Sequence, residues 1–396
     1  MPQIRVVVAG AGIAGLAFAA ALHRAGIDCH IYEQAEHLTE VGAGIQVAPN
    51  ATRLLHRLGL HDRLRAVAVV PQAIEMRRWD DGRLLQRTPL GSLCRHRFGA
   101  PYYAVHRADL HSGLLSLAPP DRVHLGARLV AVTQSTDEAW LHLSDGTTVS
   151  ADLVVGADGI HSIAREQIVA DQPRFSGQTI YRGLVPAERV PFLLTDPRVQ
   201  LWLGPDQHFV CYPVSSGRQV SFGATVSASD WREESWSARG EVAQLAAAYA
   251  GWHPDVAQLV GAAETVSRWA LHDRESIDRL SSGRVAVIGD AAHPMLPFQA
   301  QGANQAIEDA VVLAVCLADA GPGGLSAALR RYERIRLPRT TRIQRQSRAN
   351  AKTFHLVDGD AQRRRDTSAQ TSSGLDRHEW LFGYDAEQAT KTSRSA

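Results

Sequence analysis

Ile4-Arg5-Val6-Val7-Val8-Ala9-Gly10-Ala11-Gly12-Ile13-Ala14-Gly15, running on to His30-Ile31-Tyr32-Glu33, decides the fold. An apolar run ends in a glycine-rich turn, an alanine-rich helix follows, and a second short strand closes on an acid. Each position has a role at a dinucleotide. Gly10 permits the tight turn after the first strand, and Gly12 lets the backbone approach a pyrophosphate. Gly15 lets the helix pack closely on the sheet, and Glu33 ends the second strand where a ribose hydroxyl would lie. The helix N-terminus offers unpaired amides and a partial positive charge to the phosphates. Ala14 in the same turn and Gln34 after the acid complete this group of candidate cofactor contacts.

Residues 6–22 carry no charge and follow Arg5, so the segment also has the look of a signal-peptide core or a short membrane span. The glycine spacing argues against both, since neither needs three glycines there. No convincing small-residue cleavage site accompanies His23 and Arg24 either. A lone GxGxxG is weak evidence, whereas strand, helix, second strand and terminal acid together are strong. A bound dinucleotide is the expectation.

At 396 residues the chain exceeds a typical single core, so two closely packed domains are expected. Hydrophobic residues make up 45% and charged residues 21%, as in ordinary globular proteins. A net charge of +1 argues against a nucleic-acid surface, which needs a concentrated basic stripe. Cys29, Cys94, Cys211 and Cys316 are scattered without paired spacing, which points to a reducing cytoplasm rather than a disulfide scaffold. The 17 histidines show no HExxH or similar pattern, and no metal is expected.

Beyond the first unit, Gly42-Ala43-Gly44-Ile45-Gln46 forms a glycine-rich loop leading to an amphipathic helix with Leu54, Leu55 and Leu58, ended by Gly59. Residues 74–79 and 83–87 read as antiparallel strands joined at Asp81-Gly82. A helix is expected over 107–117, and a meander over 129–133, 140–143 and 147–149. From about 172 to 269 the pattern switches to period two, with strands expected over 179–185, 199–203, 209–214 and 219–226. Helices are expected over 241–249 and 254–261, a strand over 284–288, and helices over 303–317 and 325–348, the last interrupted or kinked at Pro338. Residues 358–375 are polar and are expected to be mobile. The expected domains are 1–171 with 270–320 for the nucleotide, including small strand excursions at 72–106; 172–269 for a substrate sheet; and 321–396 for C-terminal helices and a polar tail.

Two further motifs stand in order behind the first. Gly156-Ala157-Asp158-Gly159-Ile160-His161-Ser162 follows a short apolar strand, and Gly289-Asp290-Ala291-Ala292-His293-Pro294 follows another and continues through Pro297 to Gln301-Gly302-Ala303-Asn304. Singly, Asp158 reads as a turn residue, Asp290 as a helix cap, and Arg107 as a partner of Asp109. As an ordered set the motifs resemble the single-component FAD-dependent aromatic hydroxylases, the para-hydroxybenzoate and salicylate hydroxylase class, over nearly the whole chain. The resemblance implies an α/β fold: a Rossmann-like FAD-binding domain with an inserted antiparallel-sheet substrate domain and a C-terminal helical segment. It further implies that Asp290 holds the ribityl chain, that the Asp158 motif serves both FAD and the nicotinamide donor, and that Arg107 contacts the flavin. Gly44, Pro297, Gly302, Ala303 and Asn304 belong to the same implied cofactor set, and the amides at the helix start near Ala303 suit the negative charge of a reduced flavin. No second GxGxxG is present, which fits NADH or NADPH visiting and leaving. The implied reaction uses O2 and a C4a-hydroperoxyflavin to hydroxylate a phenolic or hydroxypyridine-type substrate in a site that excludes water.

Finer features, including Pro89-Leu90-Gly91, His106-Arg107-Ala108-Asp109-Leu110-His111 and Trp380-Leu381-Phe382-Gly383-Tyr384-Asp385, look most like 6-hydroxynicotinate 3-monooxygenase. By that resemblance His208 and Tyr212 lie on the substrate-facing sheet. Gln46 stands where that enzyme has a histidine, and Phe298 where relatives usually carry one. Glutamine is no base, so proton removal would fall to Tyr212, His208 or water, and a different, more apolar or bulkier substrate is favoured. Arg182 is a candidate partner for a substrate carboxylate, or simply a surface residue. The competing readings are a flavin oxidoreductase of this fold that does not hydroxylate and a non-catalytic flavin-binding protein. Neither nucleic acid nor membrane is expected as a partner, because the charges of 330–348 are interleaved as in a packed helix. The chain is expected as a monomer or homodimer.

Overall fold

A computed structural model describes residues 4–38, 42–228, 239–321, 323–371 and 374–393. Strands are numbered in chain order. The first layer is a six-stranded sheet in the order β18 (Ser281–Ser282), β19 (Val285–Val287), β11 (Leu153–Gly156), β1 (Val6–Ala9), β2 (Cys29–Tyr32) and β7 (Val123–His124). All its pairings are parallel except β18 with β19. The central runs, Val6-Val7-Val8-Ala9 and Leu153-Val154-Val155-Gly156, are buried throughout, as parallel strands covered on both faces must be. The helices Ile13–Arg24 and Gly302–Ala320 pack on this sheet and on each other. That packing needs Gly15: a Cβ there would sit 2.0 Å from the Gly10 carbonyl oxygen. Gly10 itself turns at φ 104°, a conformation that glycine adopts without strain.

The second layer is an eight-stranded sheet in the order β16 (Arg239–Gly240), β17 (Val266–Asp273), β12 (Arg174–Pro186), β15 (Gln219–Ser227), β14 (Gln207–Val214), β13 (Arg198–Gly204), β4 (Ala73–Arg78) and β5 (Leu84–Pro89). Its period-two alternation makes two unlike faces. Tyr181, Trp202, Phe209 and Phe222 bury one face beneath the helices Val242–Ala248 and Pro254–Ala262. Ile180, Arg182, His208 and Tyr212 lie on the other. A ribbon of β3 (Gly44–Val47) with β6 (Tyr103–His106) and a meander of β8 (Leu129–Gln134), β9 (Ala139–Leu143) and β10 (Thr148–Ala151) complete the sheets.

Three expectations are corrected. The strands near 74–79 and 83–87, expected as excursions of the nucleotide domain, belong to the second sheet, where β4 runs parallel to β13. Of the two alternatives at Pro338, the interruption is excluded: one helix runs from Leu325 through the proline to Phe354. Arg336 and Arg339, on either side of the proline, are buried and anchored to Glu308 and Asp309, so tertiary ion pairs override the lost backbone donor. The polar stretch expected to be mobile carries the helix Asp360–Thr371, packed on β5. Its polar residues bond each other and their surroundings: Arg365 donates to the Thr353 carbonyl and pairs with the buried Asp366, which faces Arg83. Residues 372 and 373 of that stretch lie outside the described residues.

Candidate active site

A cleft for the cofactor runs between the ends of the parallel strands and the start of the helix Gly302–Ala320. At one end, Glu33 accepts hydrogen bonds from the Ala11 amide at 2.7 Å and the Ala35 amide at 2.9 Å, which fixes its carboxylate beside the glycine turn. A Cβ on Gly12 would meet nothing within 4 Å, so the turn faces open space. The helix beginning at Ile13 has no side-chain cap and leaves its amides to whatever enters.

Asp290 stands further along the cleft. Its surface is exposed, yet the carboxyl lies deep enough that burial raises its pKa. The two observations agree if the side chain projects into a deep open cleft. Among the described residues it has no hydrogen-bond partner. The nearby helix N-terminus at Gly302 is also uncapped, after Ala300 turns at φ 51°. An unpartnered acid, an open glycine turn and two free helix starts fit the hydroxyls and pyrophosphate of FAD.

The scaffold beneath is charged and almost wholly buried, and none of its roles was assigned from sequence. Asp309 accepts the Gly289 amide at 2.9 Å and pairs with His293 at 2.5 Å, holding the turn that presents Asp290. Arg336 binds Asp309 at 2.7 Å and Glu308 at 2.5 Å, and Arg339 binds Glu308 at 2.7 Å. Burial would push both acids up, but Arg339 and Arg336 hold Glu308 below the usual carboxylate range, and His293 and Arg336 do the same for Asp309. Arg165 donates to the carbonyls of Ala291 and Ala292 at 3.0 and 2.6 Å, tying the second motif to the third. The one sequence signal for these groups was charge on the apolar faces of strong helix patterns.

Two expected cofactor contacts are engaged elsewhere. Asp158 accepts from the Ser162 hydroxyl and the Ile163 and Ala164 amides, so its side chain is turned into its own loop and burial raises its pKa. The Asn304 side chain accepts from the Ala48 amide and donates to the carbonyls of Gln46 and Ala300. Asn304 therefore fastens β3 to the helix start rather than reaching outward. Arg107 lies close enough to Asp290 for its charge to favour the ionised carboxylate.

Beyond the flavin loop lies the second sheet. Register places Arg182, Gly223 and Val210 side by side, with His208 and Tyr212 flanking Val210 along β14. The missing side chain at Gly223 lets Ile180 and Val210 close over that position, where a Cβ would lie 3.3 Å from each. Arg182 lies with its guanidinium 5.0 Å from the Trp269 ring centre and forms no ion pair among the described residues. Tyr212 donates to the Gly44 carbonyl at 2.7 Å. Gly44 is needed there, because a Cβ would fall 2.5 Å from the Tyr212 ring. The Gln46 amide oxygen accepts from Tyr102 at 2.6 Å, which directs its NH2 group away from that contact. Leu203, Trp269, Leu271, Leu296, Phe298 and Phe354 form an apolar wall.

Burial raises the pKa of Tyr212 and takes His208 well below the ordinary histidine value. At neutral pH Tyr212 is a phenol with a committed proton and His208 a neutral imidazole. A protonated, hydrogen-bonded Tyr212 is a poor proton acceptor, which leaves His208 and water of the three expected routes. Sequence reasoning missed Tyr102, Trp269, Gln178 and His355; His355 stands against His208, and Gln178 against His355.

With this geometry in view, the comparisons are direct. The chain belongs to the FAD-binding domain family, whose model matches residues 3–347. It is 51% identical over 384 residues to a 3-amino-4-hydroxybenzoate 2-monooxygenase of Streptomyces platensis, covering 96% of each chain. It is 35% identical over 397 residues to a 6-hydroxynicotinate 3-monooxygenase of Bordetella bronchiseptica, covering 99% and 98%. The structure of Klebsiella pneumoniae HpxO complexed with FAD and uric acid superposes with a TM-score of 0.85 at 29% identity, covering 99% and 97%. The protein is an FAD-dependent aromatic-ring monooxygenase, with O2 and a reduced nicotinamide as co-substrates. Among the described residues no acid, histidine or cysteine cluster could hold a metal ion, and no helix is long and apolar enough to cross a membrane.

Proposed function

We propose that the substrate is a carboxylated aminophenol of the 3-amino-4-hydroxybenzoate type, hydroxylated on the ring carbon between the carboxylate and the amine. The observation that carries this is Arg182, a cation without an ion-pair partner beside Trp269 on the row that also bears His208 and Tyr212. The greater identity to the aminohydroxybenzoate enzyme than to the hydroxynicotinate enzyme, 51% against 35%, supports the same choice.

FAD, when bound, supplies the redox chemistry between the nicotinamide, O2 and the ring. The chain supplies the rest. Arg182 grips the carboxylate and sets the ring's orientation. Gln46, held by Tyr102, offers an N–H to a ring substituent, and Tyr212 closes the pocket against Gly44. Neutral His208 accepts a proton from the phenolic hydroxyl, which keeps the ring electron-rich. Phe298, Leu296 and Trp269 exclude water.

The test is turnover of the FAD-loaded protein with NADH or NADPH and a panel of 3-amino-4-hydroxybenzoate, 3-hydroxybenzoate, salicylate and 6-hydroxynicotinate. Oxygen uptake, peroxide and product mass are followed together. Aminohydroxybenzoate should give coupled turnover and gain one oxygen. Arg182→Met should raise its KM roughly 10- to 100-fold, the effect of losing about 1.5–3 kcal/mol of charged hydrogen bonding. The same variant should leave 2-aminophenol, which lacks the carboxylate, unchanged. Full peroxide release with this compound and coupling with another would overturn the assignment.

A further inference from the structure

His208 is the inner member of a chain of polar groups that leads out of the apolar pocket. Its Nδ1 lies 2.7 Å from Nε2 of His355, and the two rings stack with centres 5.0 Å apart. His355 Nδ1 in turn lies 2.7 Å from the side-chain amide of Gln178. His208 is buried, whereas His355, just past the C-terminal end of the long helix, is half-buried. The Asp206 amide donates to the His355 carbonyl at 3.2 Å and holds that end of the helix against the sheet.

The remaining neighbours leave little else for these rings to exchange protons with. Phe298 and Phe354 pack edge-on to His208, and Phe298 does the same to His355. The Thr225 hydroxyl lies 3.1 Å from His208 Nδ1 and 3.4 Å from His355 Nε2. Tyr249 donates its hydroxyl to the His208 carbonyl, not to the ring. No acid or guanidinium makes a hydrogen bond or ion pair with either imidazole among the described residues.

We propose that His355 is the outer member of a proton relay, taking from His208 the proton that the aromatic substrate gives up and releasing it to solvent. This rests on the reading of His208 as the substrate's proton acceptor. The transfer balances without any further reactant. The phenolic O–H bond of the substrate breaks as a proton reaches His208 Nε2, and the electron pair stays on the substrate oxygen. His208 Nδ1–H gives its proton to Nε2 of His355, and the His355 Nδ1 proton leaves to water. Gln178 can follow both tautomers of His355, since its amide presents either an N–H or an oxygen on rotation. Burial lowers the pKa of His355 to about 4 and that of His208 further, so neither ring retains the proton at neutral pH.

The experiment compares His355→Ala and His355→Gln with the unaltered FAD-loaded enzyme, using 3-amino-4-hydroxybenzoate with and without added imidazole. Substrate affinity and the rate of flavin reduction serve as controls. The relay predicts kcat lower by roughly 10- to 100-fold, at the low end of what a positioned proton-transfer group contributes. KM should stay within about twofold, and peroxide release should rise. Imidazole should restore a large part of the rate in the alanine variant, where it has space, and little in the glutamine variant. A kcat within about twofold of the unaltered enzyme, or a deficit in both variants that imidazole leaves untouched, overturns the relay. If the unaltered enzyme does not hydroxylate this compound, the substrate assignment fails separately. The panel compound that is hydroxylated then takes its place.

Discussion

Arg336→Met is the sharpest probe of the scaffold beneath the cofactor. The substitution keeps a long side chain but removes the cation lodged between Glu308 and Asp309, in a place where all three side chains are fully buried. Removing one partner of a buried pair costs about 3–5 kcal/mol, because the other charge is left uncompensated. At about 2.1 cal/mol/K per residue, a chain of 396 residues has an unfolding entropy of roughly 0.8 kcal/mol/K. The expected fall in melting temperature is therefore about 4–6 °C. Its pH dependence carries a definite sign. In the unaltered protein both acids titrate below the ordinary range, so the network's contribution is full above the unfolded carboxylate value and is lost only as pH falls through the depressed one. In the variant, burial of Asp309 is opposed only by His293 and the Gly289 amide, and its pKa rises. A raised carboxyl favours the folded state at low pH, so the deficit should be largest near pH 8 and shrink towards pH 5. Melting curves of the FAD-loaded protein across that range measure it. A loss below about 1 °C, or one constant with pH, would refute the reasoning, and Asp309→Asn added to the variant should recover part of the loss.

Two further outcomes follow from the cleft. Asp290→Asn should weaken FAD binding about 10- to 100-fold, the effect of losing hydrogen bonds from a charged acceptor, in equilibrium titrations of the apoprotein with FAD. The same apoprotein should be at least as stable as the unaltered one above pH 6, because burial raises the Asp290 carboxyl, an effect that the charges of His293 and Arg107 only partly offset and no hydrogen bond relieves. Gly15→Ala places a methyl 2.0 Å from the Gly10 carbonyl oxygen, so it should yield protein that purifies without flavin, read directly from the visible spectrum.

The nucleotide-binding layer was legible because its signals are local. Gly10, Gly12, Gly15 and Glu33 fall within one strand-helix-strand unit, where Gly10 makes the tight turn and Gly15 the close packing expected of them. The period-two runs of β12 to β15 were legible for the same reason. The partnership of β4 with β13 was not, since it joins residues 73–78 to 198–203 and leaves no trace in either segment. Side-chain direction was the other blind spot. Asp158 and Asn304 stand in the right motifs, but their polar atoms are engaged within the protein. His355, in a stretch that read as the approach to a polar tail, reaches the pocket because the long helix continues past Pro338 to Phe354. Polarity of composition says whether a segment needs an apolar partner, not whether it finds ionic ones.

The way the chain weaves between its two sheets constrains how the molecule can be made. The strand β1, made before the other strands described, takes its central place only when β11 and then β19 arrive, and the intervening chain has meanwhile built most of another layer. The helix Gly302–Ala320, which lies against the helix Ile13–Arg24, comes later still. Until it emerges, the valines of the first strand have no finished shelter, and a nascent chain must be protected from its own apolar surface. The helix start at Gly302, which the expected cofactor site needs, is therefore made only after both sheets.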